Sequence, residues 1–168
     1  MTVSYITRTA ILLAIALIFQ IGLKGVGQPL VGPLVNFVLI MSALLVGTIS
    51  GIIVGCLTPL IAFSLGIMPL FPIVPFIMAG NSLYVIFFNL LRGRNEKKSG
   101  EWIGIIIASL VKYAFLVLTV RYVVTLFVKV PPKVIATFSI PQLYTALIGG
   151  ALAIIVKRFL PKSMFLNN

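Results

Sequence analysis

Apolar segments long enough to cross a membrane occupy most of this chain, and they constrain its fold more than any other feature. Hydrophobic residues make up 61% of the 168 residues, charged residues make up only 9%, and the mean hydropathy is +1.23. A soluble domain of this size has no interior large enough to bury so much apolar surface. Because a spanning helix takes about 20 residues, the sequence predicts one all-α integral membrane domain over residues 1–168.

Clusters of glycine and proline divide the apolar sequence into six predicted transmembrane helices. The long stretch 34–66 is divided at Gly47, where we expect a tight turn; a single tilted helix kinked at Pro59 is the alternative. Two other clusters, 25–33 and 67–75, predict irregular connections. We expect the first helix to be retained, because no small-residue cleavage site follows it. The predicted helices are 5–24, 34–46, 49–65, a fourth that ends at Leu91, 102–128 and 139–160.

The distribution of basic residues predicts the orientation of these helices. Short cytoplasmic loops carry an excess of Lys and Arg, and eight basic residues fall on the side of the termini against three on the other. We therefore expect both termini in the cytoplasm and both irregular connections outside, where they form a lid over an outward-facing pocket. The formal net charge of +11 reflects this bias and attraction to anionic lipid, rather than nucleic-acid binding.

Two basic residues, Lys112 and Arg121, fall within the predicted fifth helix. The only acids in the chain, Glu96 and Glu101, precede that helix, so the sequence offers no carboxylate partner at the same depth. A charge at the centre of a bilayer costs about 2.5–3.5 kcal/mol and by default marks a functional site. We therefore expect an anionic ligand to supply the missing partner.

Side-chain direction favours Arg121 as the residue that binds this ligand. The two cations are nine residues apart, so they project from opposite faces of the helix and only one can face a single pocket. Arg121 leans from the outer edge into the membrane, and its planar guanidinium can bind a carboxylate through two hydrogen bonds. Lys112 leans toward the cytoplasm, and snorkelling to the headgroups is the alternative to ligand binding.

Polar residues on other helices are candidates for the same site because their positions place them in the outer half of the bundle or near its middle. Each can also form an interhelical hydrogen bond instead. The predicted substrate-binding residues are Arg121, Asn81, Tyr84, Gln142, Asn36, Lys112 and Gln20. Gly47, Gly51 and Gly55, which are four residues apart, predict close packing between helices of the same chain, and a contribution to a partner surface is the alternative. The same holds for Gly149, Gly150 and Ala153 in the last helix.

The side chains that most enzymes need are missing from the sequence. The chain has no His, and its two acids lie together in the predicted cytoplasmic loop. General acid/base pairs, catalytic triads and metal sites therefore lack their residues. No Gly-rich loop followed by Lys and Ser or Thr is present to bind ATP. We expect neither an enzyme nor a resident cofactor or metal.

The first predicted helix contains the segment TRTAILLA at residues 7–14, which places Ala10 and Ala14 on one face. Small residues at this spacing allow another helix to approach closely. Essentially the whole chain resembles the substrate-binding S components of energy-coupling factor (ECF) transporters. The resemblance rests on this motif, on the small size of the chain, on its six predicted spans and on its long first outer connection. The resemblance implies an S-component bundle in the bacterial cytoplasmic membrane. It also implies that Ala10 and Ala14 dock on a transmembrane T subunit, whose two ATPase partners bind the ATP.

The same resemblance implies capture of a vitamin or vitamin precursor from outside and release inward after docking. Metal-specific members rely on an amino-terminal histidine, and a cation such as thiamine would need acids and stacked tryptophans. The chain has no His, and its one tryptophan, Trp102, is predicted at the inner face. We therefore expect an anionic substrate such as pantothenate, nicotinate, biotin, lipoate or a folate. A non-transport membrane scaffold of the MreD type, with a similar layout and no pocket, is the alternative.

Overall fold

A computed structural model describes residues 2–68, 70–93 and 98–166, and its regular secondary structure within these ranges is helical throughout. Pro69, predicted in the second irregular connection, and Arg94, Glu96 and Lys97, predicted in the polar loop, lie outside the described residues. The helices are α1 (Val3–Gly22), α2 (Gln28–Leu45), α3 (Thr48–Ser64), α4 (Val74–Arg92), α5 (Lys98–Leu118), α6 (Thr125–Phe127), α7 (Pro132–Thr137) and α8 (Ile140–Lys157). A π-helical segment, Thr119–Val124, joins α5 to α6.

The helices are long and apolar enough to account for six membrane-embedded segments. Within the described ranges, five stretches reach the length of a membrane span, and α3, with 17 residues, is slightly shorter. The five longer stretches are Val3–Gly22, Gln28–Leu45, Phe71–Arg92, Ser99–Phe127 and Pro132–Lys157. The predicted all-α membrane protein with six helices is confirmed.

A tight turn separates α2 from α3, as predicted for the stretch 34–66. Gly47 has φ 132°, a backbone conformation that residues with a side chain rarely adopt. Its N–H donates to the carbonyl of Ser42 over 3.1 Å, which closes the end of α2. The alternative of one continuous tilted helix is therefore wrong, and Pro59 lies inside α3.

The predicted irregular connection 25–33 is wrong over residues 28–33. The helix α2 begins at Gln28, so that Pro29 lies in its first turn and Pro33 lies inside it. Proline is tolerated in a first turn because the N–H that it lacks would have no partner within the helix. The connection is therefore short, and it ends at Gly27, whose φ is 85°.

Close approach between helices explains glycines in α3 and α8. A Cβ added at Gly149 would lie 2.4 Å from the carbonyl oxygen of Pro33, so α8 lies against the backbone of α2. A Cβ at Gly51 would lie 2.8 Å from Val85, on the surface that packs α3 against α4. These contacts confirm the prediction of packing within the chain for Gly51 and Gly149, whereas Gly47 lies in the turn before α3.

Helix α1 is the outlying element of the bundle. It packs against α2 and α3, and Thr9 and Ala16 are its buried residues. The hydroxyl oxygens of Thr9 and Ser50 are 2.9 Å apart, which gives α1 a polar attachment to α3. Helices α2 and α4, by contrast, lie in the interior, where α2 packs mainly on α8 and α4 mainly on α5.

The first and last described segments of the chain lie at the same end of the bundle. The guanidinium of Arg8 donates to the carbonyl of Met164, and the N–H of Leu166 donates to the carbonyl of Leu45 over 2.8 Å. We call this the terminal end, and we call the opposite end, where residues 23–27 and 65–73 link the helices, the connection end. Glu101 is buried near the terminal end, 2.5 Å from the Nζ of Lys157.

Candidate functional site

The ammonium group of Lys112 is buried between α2, α4 and α5. The residue is only 3% exposed, and its Nζ donates to Oδ1 of Asn36 over 2.6 Å and to Oδ1 of Asn81 over 2.8 Å. Both acceptors are neutral amides, one from α2 and one from α4. Amide oxygens satisfy the N–H groups of the lysine but leave its positive charge without a counter-charge.

The protein holds the amide of Asn81 in the orientation that this contact requires. Its Nδ2 donates to the carbonyl of Gly55 over 2.8 Å, so Oδ1 is the atom that faces Lys112. A Cβ at Gly55 would lie 3.0 Å from the Cβ of Asn81, closer than side chains normally approach. The lack of a side chain at Gly55 therefore lets Asn81 reach this carbonyl.

Asn36 is oriented in a similar way from α2. Its Nδ2 lies 3.5 Å from Oγ1 of Thr145 on α8, which in turn lies 3.3 Å from the carbonyl of Gln142. The Asn36 oxygen consequently faces Lys112 while its nitrogen faces α8. The ammonium group on α5 is thus held by polar groups that belong to, or are oriented by, four other helices: α2, α3, α4 and α8.

An aromatic ring completes the environment of the lysine. The Nζ of Lys112 lies 5.2 Å from the centroid of the Tyr84 ring, within the distance of a cation–π interaction. The hydroxyl of Tyr84 donates to the carbonyl of Ala146 over 2.7 Å, which fixes the ring between α4 and α8. The negative face of a ring stabilises a cation without neutralising it.

An ammonium group has three N–H donors, and two of them bind the asparagines. Among the described residues no carboxylate lies within ion-pair distance of Lys112, since Glu101 pairs with Lys157. Lys112 also lines a cavity of about 70 Å³. The arrangement therefore presents a positive charge and a hydrogen-bond donor to an anion inside the bundle.

The cavity brings together five of the seven residues predicted to bind substrate. Its polar lining includes Gln20, Gln28, Asn36, Asn81, Lys112 and Gln142. Tyr84 does not line the cavity but lies beside it under Lys112. Polar residues that are distant in the sequence thus converge around one ammonium group.

Arg121 does not join this cluster. It is exposed on the π-helical segment and lines a separate, open hollow together with Pro132 and Ser139. The physical reason is the spacing along the helix: residues nine apart point to opposite faces, and α2 and α4 meet the face that carries Lys112. Of the two intramembrane cations, the geometry therefore brings Lys112 and not Arg121 to the cavity.

Several lining residues were not expected from the sequence. Gln28 fell within a predicted irregular connection, whereas it begins α2 and faces the cavity. Thr58 lies one residue before the proline inside α3, and Met68 and Phe138 line the cavity toward the connection end. A polar residue next to a helix-interior proline is a signal that could have found Thr58. The positions of Met68 and Phe138 depend on tertiary packing alone.

A second hollow of about 240 Å³ adjoins the cavity on the side of the connection end. The two share five lining residues, which are Gln20, Gln28, Val31, Met68 and Phe138. Lys24, in the connection between α1 and α2, also lines this second hollow. We call the two spaces the inner cavity and the outer hollow.

A family model described as the substrate-specific component of ECF transporters matches residues 4–158, nearly the whole chain. The chain belongs to this family. Comparison with curated proteins and with solved structures gave no significant match. The resemblance seen in the sequence is confirmed, and the protein is a multi-pass membrane S component rather than an MreD-type scaffold.

Proposed function

We propose that this S component captures a small anionic vitamin or vitamin precursor and that Lys112 binds its carboxylate. The observation that carries the proposal is the buried ammonium group, which neutral amides orient but do not neutralise. In a medium of low dielectric constant an unpaired charge is costly, and an anion that pairs with it recovers that cost. The substrate supplies the negative charge that is missing from the surroundings of Lys112.

The position of the inner cavity supports uptake from the connection end. Gln20 lies near the end of α1, Gln28 begins α2, and Gln142 lies in the first turn of α8, all toward that end. The bias of basic residues toward the terminal end favours an extracellular connection end. The substrate then enters past the connection between α1 and α2 and reaches Lys112 from outside.

The exposed face of α1 supports docking on partner subunits. Ala10 and Ala14 are both exposed, on the helix that has the fewest buried residues among the long ones described. Small exposed residues four apart allow a partner helix to approach the backbone. We propose that this face contacts the transmembrane T subunit, whose two ATPase partners bind ATP and power release into the cytoplasm.

The proposal can be tested by purifying the protein in mild detergent and analysing it by native mass spectrometry. We expect a retained small molecule that carries a carboxylate, and we expect the Lys112→Met variant to purify without it. Circular dichroism and size-exclusion chromatography are used to check that the variant is folded. Retention of the same molecule by folded Lys112→Met, or retention of a cationic molecule by the wild type, would contradict the proposal.

A further inference from the structure

The side-chain oxygen of Gln20 is buried and has no hydrogen-bond partner within the described parts of the chain. Gln20 lines both the inner cavity and the outer hollow, so it lies where the two spaces meet. A buried acceptor without a donor is costly, and native proteins rarely leave one unmet. A bound ligand that extends from one space into the other can supply that donor.

Lys112 and Gln20 make opposite demands on such a ligand. The ammonium group of Lys112 requires an anionic acceptor, whereas Oε1 of Gln20 requires a neutral N–H or O–H donor. Because both residues line the same cavity of about 70 Å³, the anionic group and the donor must be close together in the molecule. A carboxylate with an amide N–H a few bonds away meets both demands.

The outer hollow sets the character of the rest of the molecule. Its lining is largely apolar and includes Val31, Ile67, Met68, Val134 and Phe138. Its volume of about 240 Å³ exceeds that of the inner cavity. An uncharged, mainly apolar group attached beyond the N–H fits this space, and Lys24 lies at its border with the connection between α1 and α2.

From these three features we infer that the substrate is an N-acyl amino carboxylate: its carboxylate contacts Lys112, its amide N–H donates to Gln20, and its acyl group occupies the outer hollow. This inference rests on the proposed function, because it takes Lys112 as the residue that binds the carboxylate. It adds a role for Gln20, which selects for the N–H, and it adds the direction in which the molecule lies.

The test uses matched pairs of synthetic probes and the purified protein in lipid nanodiscs. The amide probes are N-hexanoyl derivatives of glycine, β-alanine and 4-aminobutanoate, and their partners are the ester analogues in which oxygen replaces N–H. Isothermal titration calorimetry gives the dissociation constant of each probe. We expect the wild type to bind the best amide about fivefold more tightly than its ester, as one neutral hydrogen bond implies.

The variant Gln20→Met removes the acceptor while nearly preserving the shape of the side chain. We expect it to bind amide and ester equally, whereas Ser64→Ala, at an exposed position on α3 outside both spaces, should discriminate as the wild type does. Equal binding of each amide and ester by the wild type, or no binding of any probe, would overturn the inference. Discrimination that persists in Gln20→Met would also overturn it.

Failure of this inference can be told from failure of the proposed function. If Lys112→Met loses affinity for amides and esters alike while the wild type does not discriminate between them, the anionic site stands and the role of Gln20 falls. If Lys112→Met binds the probes as the wild type does, the proposed function itself is wrong.

Discussion

The Nζ of Lys112 lies 2.8 Å from Oδ1 of Asn81, and that amide is held from its other side by the carbonyl of Gly55. The asparagine thus connects α3 to α5 through a single side chain. It also decides the charge of the site, because an acid at this position would neutralise the lysine internally. Because Asn81 is neutral, the positive charge of Lys112 has no counter-charge from it, as the proposed binding of an anion requires.

Replacing Asn81 by an acid should therefore weaken substrate binding. In Asn81→Asp the new carboxylate pairs with Lys112 and competes with the anion, so we expect affinity for the molecule retained by the wild type to fall at least tenfold, about the value of a charged hydrogen bond. Asn81→Leu is the control, because it removes the amide without adding charge. Titration calorimetry measures both, and an equal loss of affinity in the two variants would count against internal neutralisation.

The two cations of the α5 to α6 segment can be compared directly. We expect Lys112→Met to weaken anion binding by about 10- to 100-fold, as the loss of a charge-assisted hydrogen bond implies. Arg121→Met removes a cation from the same segment but from outside the inner cavity, so its affinity should stay within about twofold of the wild type on the same scale. The opposite ranking would assign the anion to Arg121.

The contact between α2 and α8 predicts a loss of stability at one glycine. In Gly149→Ala the added methyl group would meet the backbone oxygen of Pro33 at 2.4 Å, and overpacking of this kind costs about 1–3 kcal/mol. We expect a lower midpoint of thermal unfolding in detergent. Gly22→Ala is the matched control, since nothing lies within 4 Å of a Cβ added at that position. A similar loss in both variants would show that the contact is not tight.

Large side chains introduced on the exposed face of α1 test whether that face docks on a partner subunit. We expect Ala10→Trp and Ala14→Trp to reduce ATP-dependent uptake at least tenfold in the assembled transporter, because a large side chain prevents close approach of a partner helix. Binding of the retained molecule by the isolated subunit should be unchanged. Leu110→Trp places the same ring on an exposed site of α5 and should leave uptake normal. Normal uptake in both alanine variants would remove this face from the docking surface.

The spans were predictable because their length and composition are set by the bilayer. The division of 34–66 followed from Gly47, where only glycine suits the backbone. The start of α2 was missed because proline reads as a helix breaker in a sequence, whereas Pro29 occupies a first turn and Pro33 is accommodated within the helix. No pattern in the sequence predicted the π-helical segment Thr119–Val124.

The site was only partly predictable. The depth of Lys112 in its helix marked it as a candidate, and the spacing correctly placed it on the opposite face from Arg121. The sequence could not tell which face meets α2 and α4, because that depends on the packing of helices far apart in the chain. The preference for Arg121 came from the geometry of its guanidinium, which does not determine where a side chain points.

The order of the helices along the chain has a consequence for biogenesis. Asn36 and Asn81 precede Lys112 in the chain, so both oxygen acceptors leave the ribosome before the lysine does. When the fifth span enters the bilayer, the ammonium group of Lys112 can then donate hydrogen bonds to these amides instead of facing lipid tails. We expect that moving the coding sequence of this span ahead of the second would stall its insertion, although the amino-acid composition of the protein would be unchanged.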